Sequence, residues 1–119
     1  MGNPAMTESE YERLAAETLA AIELAVEESA DAAGLDVDLH MKPGGVLEIE
    51  FVDGSKMIIN RQSALRELWV AAESGGFHFQ YDGARWVDTR DGGELFAALS
   101  RMVGAQAGGA VILAPRWLD

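Results

Sequence analysis

Apolar residues recur every three or four positions as far as Ala32 and every second position from Val37, and this single change of period decides what the chain can fold into. From about Ser9 to Ala32, Tyr11, Leu14, Thr18, Ile22 and Ala25 or Val26 form one stripe, which Ala15 and Leu19 widen. That spacing predicts an amphipathic helix, with Glu8, Glu12, Glu17, Glu23, Glu27, Glu28 and Asp31 on its far side and Gly34 as its stop. Val37, Leu39 and Met41 then predict a short strand, Pro43-Gly44-Gly45 a turn, and "VLEIEFV" a strand with Leu47, Ile49 and Phe51 on one face. Asp53-Gly54 leads into the returning strand "SKMIINR", and Asp82-Gly83 joins "FHFQY" to "ARWVD". Periodicity alone fits "LRELWVA" to helix or strand. Its place between Asn60-Arg61-Gln62 and Gly75-Gly76 favours a strand. Asp91-Gly92-Gly93 introduces a second helix, Glu94 to about Val103, and "AVIL" offers a last short strand or tail ended by Pro115. The order helix, meander, helix predicts an α+β two-layer sandwich: an antiparallel β-sheet with N-terminal and C-terminal helices packed on one face.

A chain of 119 residues suits one domain and one core. The expected division is a leader or disordered N-terminus over 1–7, a single domain over 8–113 and a tail over 114–119. Met1 to Ala5 read as an added leader ahead of a natural start at Met6.

Charge and composition narrow the function. Without cysteine there is no disulfide and no thiolate chemistry, so any metal is met through oxygen or imidazole. No apolar run approaches the roughly 18 residues of a membrane span, and the N-terminus lacks a basic presequence, so a cytoplasmic, membrane-free protein is expected. The net charge is −11, and up to residue 40 ten acids face the single base Arg13. Phosphate would be repelled, which argues against nucleic acid; cations or a basic protein are the natural complements. The pairs Glu8/Glu12, Glu23/Glu27 and Glu27/Asp31 each cost a helix about 0.2–0.5 kcal/mol.

The turn at Asp53-Gly54 admits two registers. A two-residue loop pairs Ile49 with Ile58 and drives Lys56 and Asn60 into the core, at roughly 1–3 kcal/mol per unpartnered polar group. A three-residue loop with Gly54 as a bulge pairs Phe51 with Met57 and Ile49 with Ile59 and keeps the core face apolar until Arg61, so this register is expected. Lys56, Ile58 and Asn60 then share the face away from the helices with Glu48 and Glu50, and Gln62 joins them. On the next strand Leu68 and Val70 point inward, which sends Glu67 and Trp69 outward. A tryptophan among amides and charges on an open sheet is a usual form of binding surface; the plain alternative is that the loop around Gly75-Gly76 covers it.

The acidic first helix, "GVLEIEFVDGSKMIINRQ", "LWVAAESGGFHF", "RWVD" and a second helix after a Gly-rich turn, in this order, resemble the frataxin family in its bacterial form, over about residues 8 to 113. The resemblance implies a two-helix, antiparallel-sheet sandwich that binds iron, Fe²⁺ or Fe³⁺, weakly at its surface. It also implies an adaptor role on the cysteine desulfurase and scaffold protein that build iron–sulfur clusters, by a monomer that iron can drive into oligomers. Asn60, Arg61, Gln62 and Trp69 match the family's exposed contact surface, with Glu67 beside them. Glu23, Glu27, Glu28 and Asp31 match its acidic ridge, and Glu12 is a further metal candidate. Ala64 stands where the family motif usually has proline. The first strand region offers only Asp36 and Asp38, which concentrates the expected ridge on the helix.

Carboxylates on neighbouring turns stand about 5–6 Å apart, close enough for two to share a hydrated ion but not to supply six ligands. Oxygen-only ligation suits Mn²⁺, Mg²⁺, Ca²⁺ and the harder iron states with little selectivity. His40 and His78 read as surface strand residues. No catalytic constellation is visible, so the favoured class is a non-catalytic regulator. The competing class is an iron-oxidising, iron-storing ferroxidase, which usually needs a fixed di-iron site with converging ligands.

Overall fold

Thr7 opens the first helix with a reciprocal cap. Its hydroxyl accepts the Glu10 amide at 3.1 Å, and the Glu10 carboxylate accepts the Thr7 amide at 2.8 Å. The computed structural model describes residues 6–115, so the expected leader over Met1 to Ala5 and the last four residues of the expected tail lie outside the described residues. Helix α1 (Glu8–Ala33) buries Tyr11, Ala15, Thr18, Leu19, Ile22, Ala25, Val26 and Ala30 and stops at Gly34, whose φ of 69° is left-handed. Met6 packs against the core and Pro115 is buried, so the packed body reaches slightly beyond 8–113 at both ends.

Six strands follow in one antiparallel sheet whose spatial order equals the chain order: β1 (Val37–Lys42), β2 (Val46–Phe51), β3 (Lys56–Gln62), β4 (Glu67–Ala72), β5 (Gly75–Tyr81) and β6 (Trp86–Asp88). Leu47, Ile49, Phe51, Met57, Ile59, Leu68, Val70 and Phe79 all point to one face and are almost fully buried against the helices. Burying each such side chain contributes about 1.5–3 kcal/mol, which is why the period-two pattern was decisive. Trp86 joins them, giving its indole N–H to Thr18 Oγ1 at 3.0 Å. The one polar residue in the apolar stripe of α1 is therefore the acceptor for a buried tryptophan.

The first hairpin has the expected three-residue loop, with Gly54 at φ 87° and its amide on the Phe51 carbonyl at 2.9 Å. The pairs differ from those expected: Ile49 stands opposite Met57 and Leu47 opposite Ile59. Phe51 closes on Ser55 instead of Met57, its amide 2.9 Å from the Ser55 carbonyl. The three-residue loop thus lies one position earlier in the chain, each partner shifts by two, and a slip of two leaves every side chain on its expected face.

Helix α2 (Leu95–Ala107) runs four residues past the expected end. Gly104 lets the returning chain cross close by, since a Cβ there would sit 3.0 Å from the Gly109 carbonyl, and the helix stops only at Gly108. Glu94 caps its start, accepting the Phe96 and Ala97 amides at 2.8 and 3.0 Å. "AVIL" is not a strand. It lies along both helices, with the Leu113 amide on Ser100 Oγ at 2.8 Å and Ser29 Oγ donating to the Ile112 carbonyl at 3.2 Å.

Candidate functional site

Two polar surfaces stand out, and they are built differently. The first is a groove of about 690 Å³ between the C-terminal half of α1 and β1. Helical spacing puts Glu23, Glu27 and Asp31 in one row with Glu28 beside it, and the tight turn at Gly34 brings the chain straight back alongside. Asp36 and Asp38 thereby join the four helix carboxylates in lining the groove. Leu24, Leu35, Val37 and Leu39 complete its lining. The carboxylates of Glu23, Glu27, Asp31, Asp36 and Asp38 have neither hydrogen-bond nor ion-pair partners among the described residues. Among those residues, no three His, Asp or Glu side chains converge closely enough to form a metal cage. Carboxylates so arranged are chemically suited to hydrated, exchangeable hard cations, held by summed charge rather than by coordination geometry.

Glu12 does not belong to this cluster. It lies eleven residues before Glu23, about 16 Å along the helix. Its carboxylate is occupied by the Arg61 guanidinium through Nη1 and by Ser63 Oγ at 3.0 Å. Arg61, expected on the exposed sheet surface, is on the helix side instead: the alternation that turns Asn60 and Gln62 outward turns Arg61 in, toward α1. A side chain at Gly45 would collide with that guanidinium, so the glycine makes room for the ion pair. Where proline was missing at Ala64, Ser63–Leu65 form a 3₁₀ turn closed by Arg66 at φ 55°, with Arg66 Nη1 on the Ser63 carbonyl at 2.9 Å.

The second surface is the sheet face turned away from the helices. Antiparallel pairing sets Asn60, Trp69 and His78 in one cross-strand row and Gln62, Glu67 and Gln80 in the next. Trp69 is half-buried, and its cover is His78, whose ring stacks on it with centroids 4.2 Å apart and planes 9° from parallel. The indole N–H donates to Glu67 Oε1 at 2.8 Å, and Gln80 Nε2 reaches Glu67 Oε2 at 3.4 Å. Glu67 is only 7% exposed. Its backbone works for the other layer, since the Tyr11 hydroxyl donates to its carbonyl at 2.6 Å. Glu48, also 7% exposed, sits between Lys42 at 2.6 Å and Lys56 at 3.2 Å. Hydrogen bonds from those two ammonium groups hold its carboxyl below the usual range.

His78 and Glu48 are the site residues that sequence reasoning missed. Pairing "LWVAAES" with "GGFHF" around the loop at 73–74 would have set His78 opposite Trp69. No comparable signal marked Glu48, whose lysines come from the two flanking strands.

The arrangement has close counterparts. The family profile described as Frataxin-like domain matches residues 4–109. An iron–sulfur cluster assembly protein CyaY from Cupriavidus metallidurans is 54% identical over 105 residues, covering 88% of this chain and 94% of that one. The protein of the same name from Janthinobacterium sp. is 56% identical over 109 residues, covering 91% and 96%. Among solved structures, the frataxin of Psychromonas ingrahamii superposes with a TM-score of 0.78 at 36% identity, covering 89% of this chain and 96% of that chain. A trimeric, ferrous-complexed frataxin of Saccharomyces cerevisiae shares the fold alone, with a TM-score of 0.68 at 24% identity over 87% and 88%. The sheet order, the two helices on one face and sequence agreement over nearly the whole length lead to one assignment: the chain belongs to the frataxin family.

Proposed function

We propose that the protein is a non-catalytic regulator of iron–sulfur cluster assembly, which carries exchangeable iron in the α1/β1 groove and docks on the cysteine desulfurase and its scaffold. The role in cluster assembly is supported by relatives of that name at 54% and 56% identity. The observation that carries the rest is the set of five carboxylates left without partners among the described residues, beside a sheet whose buried carboxylates Glu48 and Glu67 are satisfied. Unsatisfied negative charge attracts a metal cation and a basic protein surface by the same Coulombic term, so the iron-loaded and partner-bound states compete or combine at one place. The Asn60/Trp69/His78 row offers a rigid aromatic plate with an amide beside it, suited to a second contact with scaffold or desulfurase.

The test is affinity capture from bacterial extract with and without ferrous iron. The double variant Glu27→Lys/Asp31→Lys is expected to lose desulfurase. Trp69→Ala is expected to weaken desulfurase or scaffold capture while costing less than the about 3–5 kcal/mol of a fully buried aromatic. Undiminished capture by both variants contradicts the proposal. Oxidation and storage of iron is the weaker reading, because among the described residues no three ligating side chains converge as a di-iron centre requires. Sustained multiple-turnover acceleration over free iron in the same buffer would overturn that judgement.

A further inference from the structure

The two edges of the sheet are not equally protected. At one end β6 is only three residues long; its Val87 bridges to Glu94, and the Asp88 amide is taken by the Gly93 carbonyl at 2.8 Å. At the other end β1 runs for six residues paired to β2 without a bulge or proline, from Val37 opposite Phe51 to Lys42 opposite Val46. The far side of β1 makes no backbone hydrogen bond among the described residues. A regular, uncovered edge is a template for another strand, and proteins normally shorten, twist or cover such edges.

We infer that β1 accepts an extended, lysine- or arginine-rich segment of a partner protein as a seventh strand, seated in the acidic groove. Charge selects this occupant. A second copy pairing edge to edge would bring two rows of groove carboxylates together within a Debye length, about 10 Å at 0.1 M salt, and repulsion opposes it. A basic strand meets the opposite situation. Its alternate side chains fall on the helix side, where their apolar stems lie over Leu35, Val37 and Leu39 while their charged ends reach Glu27 and Asp31. Main-chain hydrogen bonds to β1 supply affinity, and the carboxylates supply the choice of partner. This inference rests on the proposal that the groove meets a basic protein and adds the mode of contact.

A synthetic peptide of about seven residues with lysine at alternate positions tests it against two N-methylated forms, each blocking one alternate set of amides. The parent peptide is expected to slow hydrogen exchange at alternate β1 amides. One methylated form should bind roughly tenfold or more weakly and the other close to normally, because only one set of amides faces β1. If all three peptides bind alike and perturb only groove side chains, strand addition is wrong while the basic-partner reading of the groove stands. If none perturbs residues 23–38, both fail. Protection of the same β1 amides at high salt without peptide, with a doubled mass in solution, would make a second copy the occupant and overturn the inference.

Discussion

The open sheet face and the α1/β1 groove both contain carboxylates, and the structure treats them in opposite ways. On the sheet face Glu48 is gripped by two lysines, and Glu67 takes the indole of Trp69 and the amide of Gln80; each is 7% exposed. In the groove Glu27, Asp31, Asp36 and Asp38 are exposed and have no partner among the described residues. Burying a carboxylate is tolerable only when hydrogen bonds replace its water, so the sheet face had to complete its partners within the fold. Carboxylates left in water cost little individually, and their partners can come from outside. The difference separates negative charge that maintains a surface from the negative charge to which the proposed function assigns a ligand.

The largest effect that could break this comparison is at Glu67. Glu67→Ala removes a charged acceptor from the indole and is expected to cost about 1.5–3 kcal/mol, with a red-shifted Trp69 emission once the ring is released. Unchanged melting would mean that the sheet-face carboxylates are no more structural than those of the groove. Glu48→Gln is expected to have a smaller effect with a distinctive pH dependence. Because the lysines lower the Glu48 pKa in the folded state, its stabilisation is present above the ordinary carboxylate range and fades as pH falls through the lowered value. Melting temperatures of the protein and Glu48→Gln should therefore differ at neutral pH and converge in acid; a constant gap would show that the ion pairs are not its source. The smallest effect, of opposite sign, is in the groove. Glu27→Gln removes two like-charge neighbours at i±4, Glu23 and Asp31, and should raise stability by about 0.4–1 kcal/mol, an increment that added salt diminishes. A loss of stability would reveal an internal partner for Glu27.

Most of the fold was legible because its signals were local. Residues 9–32 and the hairpins at Asp53-Gly54 and Asp82-Gly83 announced themselves through period and turn chemistry, and a register error of two at the first hairpin did no damage because side chains alternate with that same period. The acids of the ridge were legible on the helix and at Asp36 and Asp38, but the groove that they line together forms only when the turn at Gly34 brings the chain back along α1. Arg61 and Glu12 show the limit most clearly. Forty-nine positions apart, they were read into two different surfaces, yet they satisfy one another across the layers. The pairing of Trp69 with His78 was within reach of the hairpin around 73–74, whereas the parallel stacking of the two rings is visible only in the structure.

The proposed function requires that free negative charge in the groove, and not the polar sheet face, receive cations. Titration with Mn²⁺, whose unpaired electrons broaden nearby amide signals, reads both regions in one NMR spectrum. Signals from Glu23 to Asp38 are expected to broaden at substoichiometric metal while those of Asn60, Glu67, Trp69 and His78 persist. Early broadening centred on Trp69 and His78, or on His40, with a sharp groove would contradict it.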